Sequence, residues 1–242
     1  MAVLGQEEKV RLRLEVRELT DAPPMEDIFD ILALKPYSCF LDSSLTMPRL
    51  GLHSFIGFDP HLVLTTNGLR CRWWRRGGGM RYTEENPFYA LRRSLEEFSI
   101  EEDTDELPPF LGGGMGYLAY ELGRYIEKLP ATVADDLRMP ELCFAFYDRV
   151  LAYDHGSGRT YLAAVHPDDP GAVLEEARRE LDRKPPAYPP PQGEGDTRFV
   201  SNFTREEYME AVGQVKEYIY AGDIYQANLT QRFEACCGGD AL

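Results

Sequence analysis

Between positions 184 and 196 the chain reads Lys184-Pro185-Pro186-Ala187-Tyr188-Pro189-Pro190-Pro191-Gln192-Gly193-Glu194-Gly195-Asp196. Proline fixes φ and lacks an amide hydrogen, so this run can be neither a helix interior nor a central strand. Every regular element must lie on one side of it or the other. The sequence therefore reads as a domain over 1–183, a linker over 184–198 and the beginning of a second domain over 199–242. The first stretch is long enough to enclose a core, and 43% hydrophobic and 12% aromatic side chains supply one. The last stretch is too short to bury a core of its own, so the sequence reads as a fragment of a longer polypeptide.

Upstream of the linker, short strand-like segments follow one another: Tyr37 to Leu41, Ser54 to Phe58, His61 to Thr65 and Leu69 to Trp74, with Gly and Pro at the breaks. Asn86 before Pro87 is an N-cap followed by proline at the first helical position. Phe88, Leu91 and Leu95 then recur at helical spacing, which predicts a helix from Pro87 to about Phe98. Acidic Glu101 to Glu106 reads as a solvated connector. Pro109-Phe110-Leu111 leads into Gly112-Gly113-Gly114-Met115-Gly116 and the aromatic stretch Tyr117 to Tyr125. Strands are expected over Leu142 to Tyr153 and Thr160 to Val165, joined by a turn at Asp154-His155-Gly156-Ser157-Gly158, and a charged helix over Ala172 to Leu181. The fold class is α+β: antiparallel sheets with covering helices. The first 35 or so residues carry no specific signal.

Beyond the linker, Thr204-Arg205-Glu206-Glu207 is a capping box opening a helix with Tyr208, Val212, Val215 and Ile219 on one stripe and Gly222 at its end. From Ile224 to Phe233 the residues alternate, Tyr225, Ala227, Leu229 and Phe233 against Gln226, Asn228, Thr230 and Arg232. A strand is expected there, its polar face meeting solvent or lining a wet cavity. At Gly238-Gly239-Asp240 the sequence announces another helix.

The residues restrict function mainly by exclusion. A net charge of −15 disfavours a nucleic-acid groove. The one basic cluster, Arg70, Arg72, Arg75 and Arg76 around Trp73 and Trp74, reads as a strand entering the Gly77-Gly78-Gly79 turn in preference to a base-stacking platform. No apolar run suits a membrane span, and the N-terminus lacks a basic region followed by an apolar one, so a soluble cytoplasmic protein is expected. Cys39, Cys71, Cys143, Cys236 and Cys237 read as reduced structural thiols. The glycine run 112–116 lacks the Lys and Ser/Thr of a phosphate loop and suits tight strand packing better. His53, His61, His155 and His166 are scattered and suggest no metal site. His53 and Ser54 are adjacent, but neighbours in a strand point to opposite faces. No catalytic residue emerges from composition or spacing.

Three segments nevertheless resemble the large component of the anthranilate synthase and aminodeoxychorismate synthase family, in that family's order. Phe40-Leu41-Asp42-Ser43-Ser44 with His53-Ser54-Phe55-Ile56-Gly57-Phe58-Asp59-Pro60 is similar to its L-x-S and R-Y-S-x-x-G-x-x-P strands. Pro109 to Arg124, Glu127-Lys128-Leu129-Pro130 and Phe146-Tyr147-Asp148 through Asp154-His155 form the second. Gly222-Asp223-Ile224-Tyr225-Gln226-Ala227-Asn228-Leu229-Thr230-Gln231-Arg232-Phe233 resembles the opening of the chorismate-binding domain, in a form closer to aminodeoxychorismate synthases than to anthranilate synthases.

The resemblance implies amination of chorismate to 4-amino-4-deoxychorismate on the route to p-aminobenzoate and folate, with ammonia from a glutamine amidotransferase and Mg²⁺ neutralising the substrate carboxylate. The family's metal and chorismate ligands would lie beyond this sequence, leaving the fragment inactive. By motif, Ser43, His53, Ser54, Phe55 and Ile56 would form one wall of a pocket for L-tryptophan. Leu52 and His53 depart from the family's Arg-Tyr, and Asp42 stands where Glu or His occurs. The same segments also read as core strands whose hydroxyls bond the backbone. Two further readings remain: anthranilate synthase of tryptophan biosynthesis, and a non-catalytic module that binds an aromatic amino acid.

Overall fold

Val10–Leu19 places branched or long apolar residues at alternate positions, and it forms a ten-residue strand, β1. The stretch that sequence reasoning left without a signal thus supplies an inner strand of the larger sheet. In this computed structural model the described residues are 10–45, 47, 49–100, 107–130, 135–184 and 199–235. Two compact units make up the chain, Met1–Pro186 and Ala187–Leu242. The expected connector at 101–106, the linker run 185–198 and the glycine turn at 238–242 lie outside the described residues.

In the first unit, β1 is followed by α1 (Met25–Leu32), β2 (Cys39–Leu41), β3 (His53–Gly57), β4 (Leu62–Asn67), β5 (Arg70–Arg75), β6 (Gly79–Glu84), α2 (Pro87–Glu96), β7 (Phe98–Ile100), β8 (Gly113–Leu118), a 3-10 helix Tyr120–Tyr125, β9 (Leu142–Tyr147), β10 (Arg149–Asp154), β11 (Arg159–His166) and α3 (Pro170–Leu181). A six-stranded sheet runs β2-β3-β10-β11-β1-β7 and a five-stranded sheet β6-β5-β4-β9-β8. All pairings are antiparallel except β1 with β7. The fold is α+β.

The sequence reads 142–153 as one strand, but the structure breaks it at Asp148. β9 belongs to the small sheet and β10 to the large one. The polar pair Asp148-Arg149 sits at this crossing and is buried in an ionic cluster. Arg149 reaches Asp148 at 3.0 Å and Glu176 of α3 at 3.1 Å, and Arg76 pairs with both Asp148 and Asp59.

Three clusters fill the unit. Met25, Ile28 and Leu32 of α1 and Val173, Leu174 and Ala177 of α3 pack on Ile56, Leu151, Leu162 and Ala164 of the large sheet. Ala90 of α2 and Leu122 of the 3-10 helix cover Leu62, Leu64, Trp73 and Phe146 of the small sheet. Val63, Met115, Ala145 and Tyr147 meet Val150 and Phe55 between the sheets. The order of layers is therefore helices, sheet, sheet, helices.

The Asn86 cap is present, its side chain accepting from the Phe88 amide at 2.9 Å. The glycine run is strand, not phosphate loop. A Cβ on Gly116 would stand 2.0 Å from the Cys143 carbonyl oxygen, so only glycine lets β8 approach β9 here. The basic cluster is dispersed by its strand: Trp73 is buried, Arg72 donates to Thr65 and Arg75 pairs with Glu97.

In the second unit, the capping box forms as expected. The Thr204 hydroxyl accepts from the Glu207 amide at 3.2 Å, Glu207 accepts from the Thr204 amide at 2.8 Å, and α4 (Arg205–Ala221) ends at Gly222 with φ 81°. The strand expected over 224–233 does not form. Only Phe233–Glu234 (β13) is paired as strand, with Val200–Ser201 (β12). Alternation makes a segment competent to be a strand, but its amides and carbonyls still need a neighbour, and β12 offers only two residues. Among the described residues no helix is long and apolar enough to cross a membrane.

Candidate functional site

The antiparallel register of β3 with β10 sets Tyr153 opposite Ser54 and Asp154 opposite His53. Of the five residues expected to share one wall, Ser43 precedes this strand and the other four lie on β3, where alternation divides them. Ser54 and Ile56 face α1 and α3, whereas His53, Phe55 and Gly57 face the space between the sheets. Ile56 is 0% exposed and offers no surface to a ligand. On the opposite face, the His53 and Phe55 rings stack at 5.9 Å, and Phe55 meets Phe110 edge-on at 5.7 Å.

Ser43 and Ser54 are brought together. The Ser43 amide donates to Ser54 Oγ at 3.0 Å, and Ser43 Oγ donates to the His53 carbonyl at 2.7 Å. Ser54 Oγ also lies 2.8 Å from Asp42 Oδ1 and 2.8 Å from Nε2 of His155, which follows β10. A hydroxyl has one proton and two acceptor positions. Donation to Asp42 leaves acceptance from the Ser43 amide and from an Nε2–H of His155, which saturates the oxygen. A serine nucleophile needs the reverse arrangement, with an unprotonated imidazole nitrogen receiving the hydroxyl proton. The Asp42, Ser54 and His155 group therefore holds the end of β3 in shape and is not a hydrolytic triad.

A cavity of about 680 Å³ opens over this group, between it, the loop joining β1 to α1, and Gly158–Thr160. Glu18, Asp21, Glu26 and Asp42 line it against a single guanidinium, Arg159, which pairs with Glu18; the excess of carboxylates favours a cationic group such as an ammonium, and Tyr153 contributes an aromatic wall. Of the expected residues Ser54 lines this cavity, with Ser43 bonded behind it. His155, which the sequence offered as part of a turn, a scattered histidine and the end of a family segment, was not expected here, and neither was the β1–α1 loop. Nearby, the Ser157 hydroxyl and the amides of Gly156 and Ser157 hold the Asp154 carboxyl below its ordinary pKa.

Two other places could carry chemistry and do not. His61, beside the Asp148 and Arg149 cluster, is pushed down by burial to about 4, and so is neutral near pH 7. Among the described residues no group of three or more His, Cys, Asp or Glu side chains could hold a metal ion. The described side chains therefore offer no set of ligands that fits Mg²⁺.

Comparison with known proteins gives these features a context. A family model described as chorismate binding enzyme matches residues 44–242. The aminodeoxychorismate synthase component 1 of Escherichia coli K12 is 35% identical over 215 residues, covering 89% of this chain and 46% of that protein. The anthranilate synthase component 1 of Thermus thermophilus is 38% identical over 159 residues, covering 65% of this chain and 34% of that protein. In three dimensions, the crystal structure of anthranilate synthase component I from Streptococcus pneumoniae TIGR4 superposes with a TM-score of 0.60 at 18% identity, covering 81% of this chain and 45% of that one. The chain thus spans less than half the length of each of these relatives.

Proposed function

The chain belongs to the chorismate-binding enzyme family, and from that premise we propose that it is part of the large component of an aminodeoxychorismate synthase. In that reaction ammonia replaces the hydroxyl at position 4 of chorismate, giving 4-amino-4-deoxychorismate for p-aminobenzoate and folate synthesis in the cytoplasm. The observation that carries the reading is the form of Gly222 to Phe233, which is closer to aminodeoxychorismate synthases than to anthranilate synthases. The extent of the match does not separate the two, since the aminodeoxychorismate synthase component 1 of E. coli aligns over 89% of this chain and an anthranilate synthase component 1 of Neisseria meningitidis over 92%. Relatives named as component 1 imply a second component, proposed here as a glutamine amidotransferase that delivers ammonia.

No residue of this chain is assigned a catalytic step. On this reading Mg²⁺ is expected in the complete enzyme, where it would offset the charge of the chorismate carboxylate; none of the described residues would hold it. The contribution proposed for these residues is a binding edge for L-tryptophan on the Ser54 side of β3, beside Asp42 and Tyr153, with Ser43 bonded to Ser54. His53 and Phe55 are left out because they lie on the opposite face of the strand, and Ile56 because it is buried beneath the helices. The higher local identity to the T. thermophilus protein favours a second reading, anthranilate synthase.

The test is a product assay. The complete polypeptide carrying this sequence, given chorismate, ammonium and Mg²⁺, is expected to release 4-amino-4-deoxychorismate. Fluorescent anthranilate in its place would establish the second reading. Neither product, with tryptophan still bound by the 242-residue chain, would favour the non-catalytic binding module. These 242 residues alone are expected to leave chorismate unchanged.

A further inference from the structure

One stretch of this acidic chain is locally basic, and part of it converges on one face of the small sheet. Between positions 70 and 93 there are seven arginines, Arg70, Arg72, Arg75, Arg76, Arg81, Arg92 and Arg93, against two acids, Glu84 and Glu85, in a protein whose net charge is −15. Pairing of β5 with β6 sets Arg81 directly opposite Trp73, on the side of the small sheet that α2 covers. The Arg93 guanidinium of α2 lies 4.8 Å from the Trp73 ring centre. Arg75, two residues along β5, shares that side.

These groups are held before any ligand arrives. Trp73 Nε1 donates to Thr83 Oγ1 at 2.9 Å, the Thr83 hydroxyl donates to Glu85 at 2.7 Å, and Arg93 Nη2 donates to the same Glu85 oxygen at 2.8 Å. Arg75 Nη2 is 2.6 Å from both Glu97 oxygens. Each of these arginines spends one terminal nitrogen on its carboxylate, and a guanidinium has five N–H donors on three nitrogens. Arg81 is exposed and makes no ion pair among the described residues. A cavity of about 200 Å³ lies among Trp73, Arg75, Gly79, Arg81, Arg93 and Glu97. Its lining carries three guanidiniums and one carboxylate already engaged.

We propose that this cavity between the β5–β6 hairpin and α2 is a binding site for a phosphoryl group, held by Arg81, Arg93 and the outer face of Arg75. The volume suits a group of that size, and forked guanidinium donors match its oxygens. The Trp73 ring at 4.8 Å and the bond to Glu85 hold Arg93 in place, so little side-chain freedom is lost on binding. The site is independent of the proposed reaction and of the Ser54 edge.

The test uses the 242-residue protein, whose two tryptophans, Trp73 and Trp74, both lie in β5, so intrinsic fluorescence reports on the site. Titration with inorganic phosphate at constant ionic strength is expected to saturate. Arg81→Gln should weaken binding about tenfold, the effect of losing one charge-assisted contact. Arg81→Lys, which keeps the charge and loses the fork, should fall between. Arg205→Gln, in the other unit, should match the parent. Arg81 is exposed, so its variants should keep the parent circular dichroism, and any that did not would be replaced by Arg93→Gln. O-phosphoserine binding tighter than inorganic phosphate would assign the site to a phosphorylated molecule, and the reverse order to free phosphate. Chloride at equal ionic strength giving the same response, a titration that never saturates, or Arg81→Gln and Arg93→Gln both binding like the parent would overturn the proposal.

Discussion

Arg149, its side chain 3% exposed, meets the Asp148 carboxylate at 3.0 Å at the residue where the chain passes from the small sheet to the large one. Burial opposes ionisation of Asp148, but Arg149 and Arg76 outweigh it and hold its pKa below the ordinary carboxylate value. Removing one member of such a pair leaves the other charged and enclosed, which costs about 3 kcal/mol or more. Arg149→Met should therefore lower the urea midpoint sharply, and Asp148→Asn somewhat less, because Glu176 and Asp59 remain near Arg149. A depressed carboxylate pKa stabilises the fold above the unfolded-state value and loses that contribution as pH falls through the folded one. The parent should thus lose stability on strong acidification with a steeper slope than Asp148→Asn. Equal midpoints for parent and Arg149→Met would show that the cluster is not structural.

His61 acts over a higher pH window. Its pKa falls from 6.5 to about 4, chiefly through burial. Between those values the unfolded chain binds a proton that the folded chain does not, so stability should rise with pH across that interval, by at most about 3 kcal/mol in total. Denaturant midpoints taken across that interval and up to neutrality should show this slope, and His61→Leu should flatten it. A slope unchanged in that variant would place the titration elsewhere.

Ser54 is 1% exposed and touches three partners, Asp42, the Ser43 amide and His155. Ser54→Ala leaves all three facing a methyl group and should cost about 2 kcal/mol. Because the hydroxyl oxygen is saturated, acylating reagents aimed at active serines should not label Ser54. Tryptophan binding, measured by equilibrium dialysis, should weaken in the alanine variant. Labelling of Ser54 by such a reagent would contradict the hydrogen-bond assignment.

What the sequence discloses follows the range of the interactions involved. The caps at Asn86 and Thr204 are set by residues two and three positions away, and both form as read. Val10–Leu19 alternates as a strand should, so its extended form is local, but its place inside the large sheet is set by β11, which pairs Val16 with Ala163. The break in 142–153 was visible as a polar pair within an apolar run, but its meaning depends on Asp59, Arg76 and Glu176. The site behaves likewise. Motif resemblance brought Ser43 and Ser54 together, whereas His155 is 101 residues from Ser54 and reaches it only through the β3–β10 register.

Ile224 to Arg232 shows the converse case, local pattern without a partner. Its residues alternate as a strand should, yet extended pairing is confined to Phe233–Glu234 with Val200–Ser201. Tyr225 is 95% exposed, and each residue of the neighbouring α4 keeps some exposure. Amides without hydrogen-bonded neighbours exchange with solvent at nearly the rate of an open chain. In the 242-residue protein, hydrogen exchange should therefore be fast from Tyr225 to Gln231. It should be slower in the middle of α4, whose amides bond within the helix, and slowest in β10 and β11, enclosed in the first unit. Thr204→Ala should speed exchange in the first turn of α4 and leave β10 unchanged, since the cap acts only on that helix. Protection across Tyr225 to Gln231 equal to that of β10 would mean that this segment has found a strand partner in solution, and its reading as unpaired would fail.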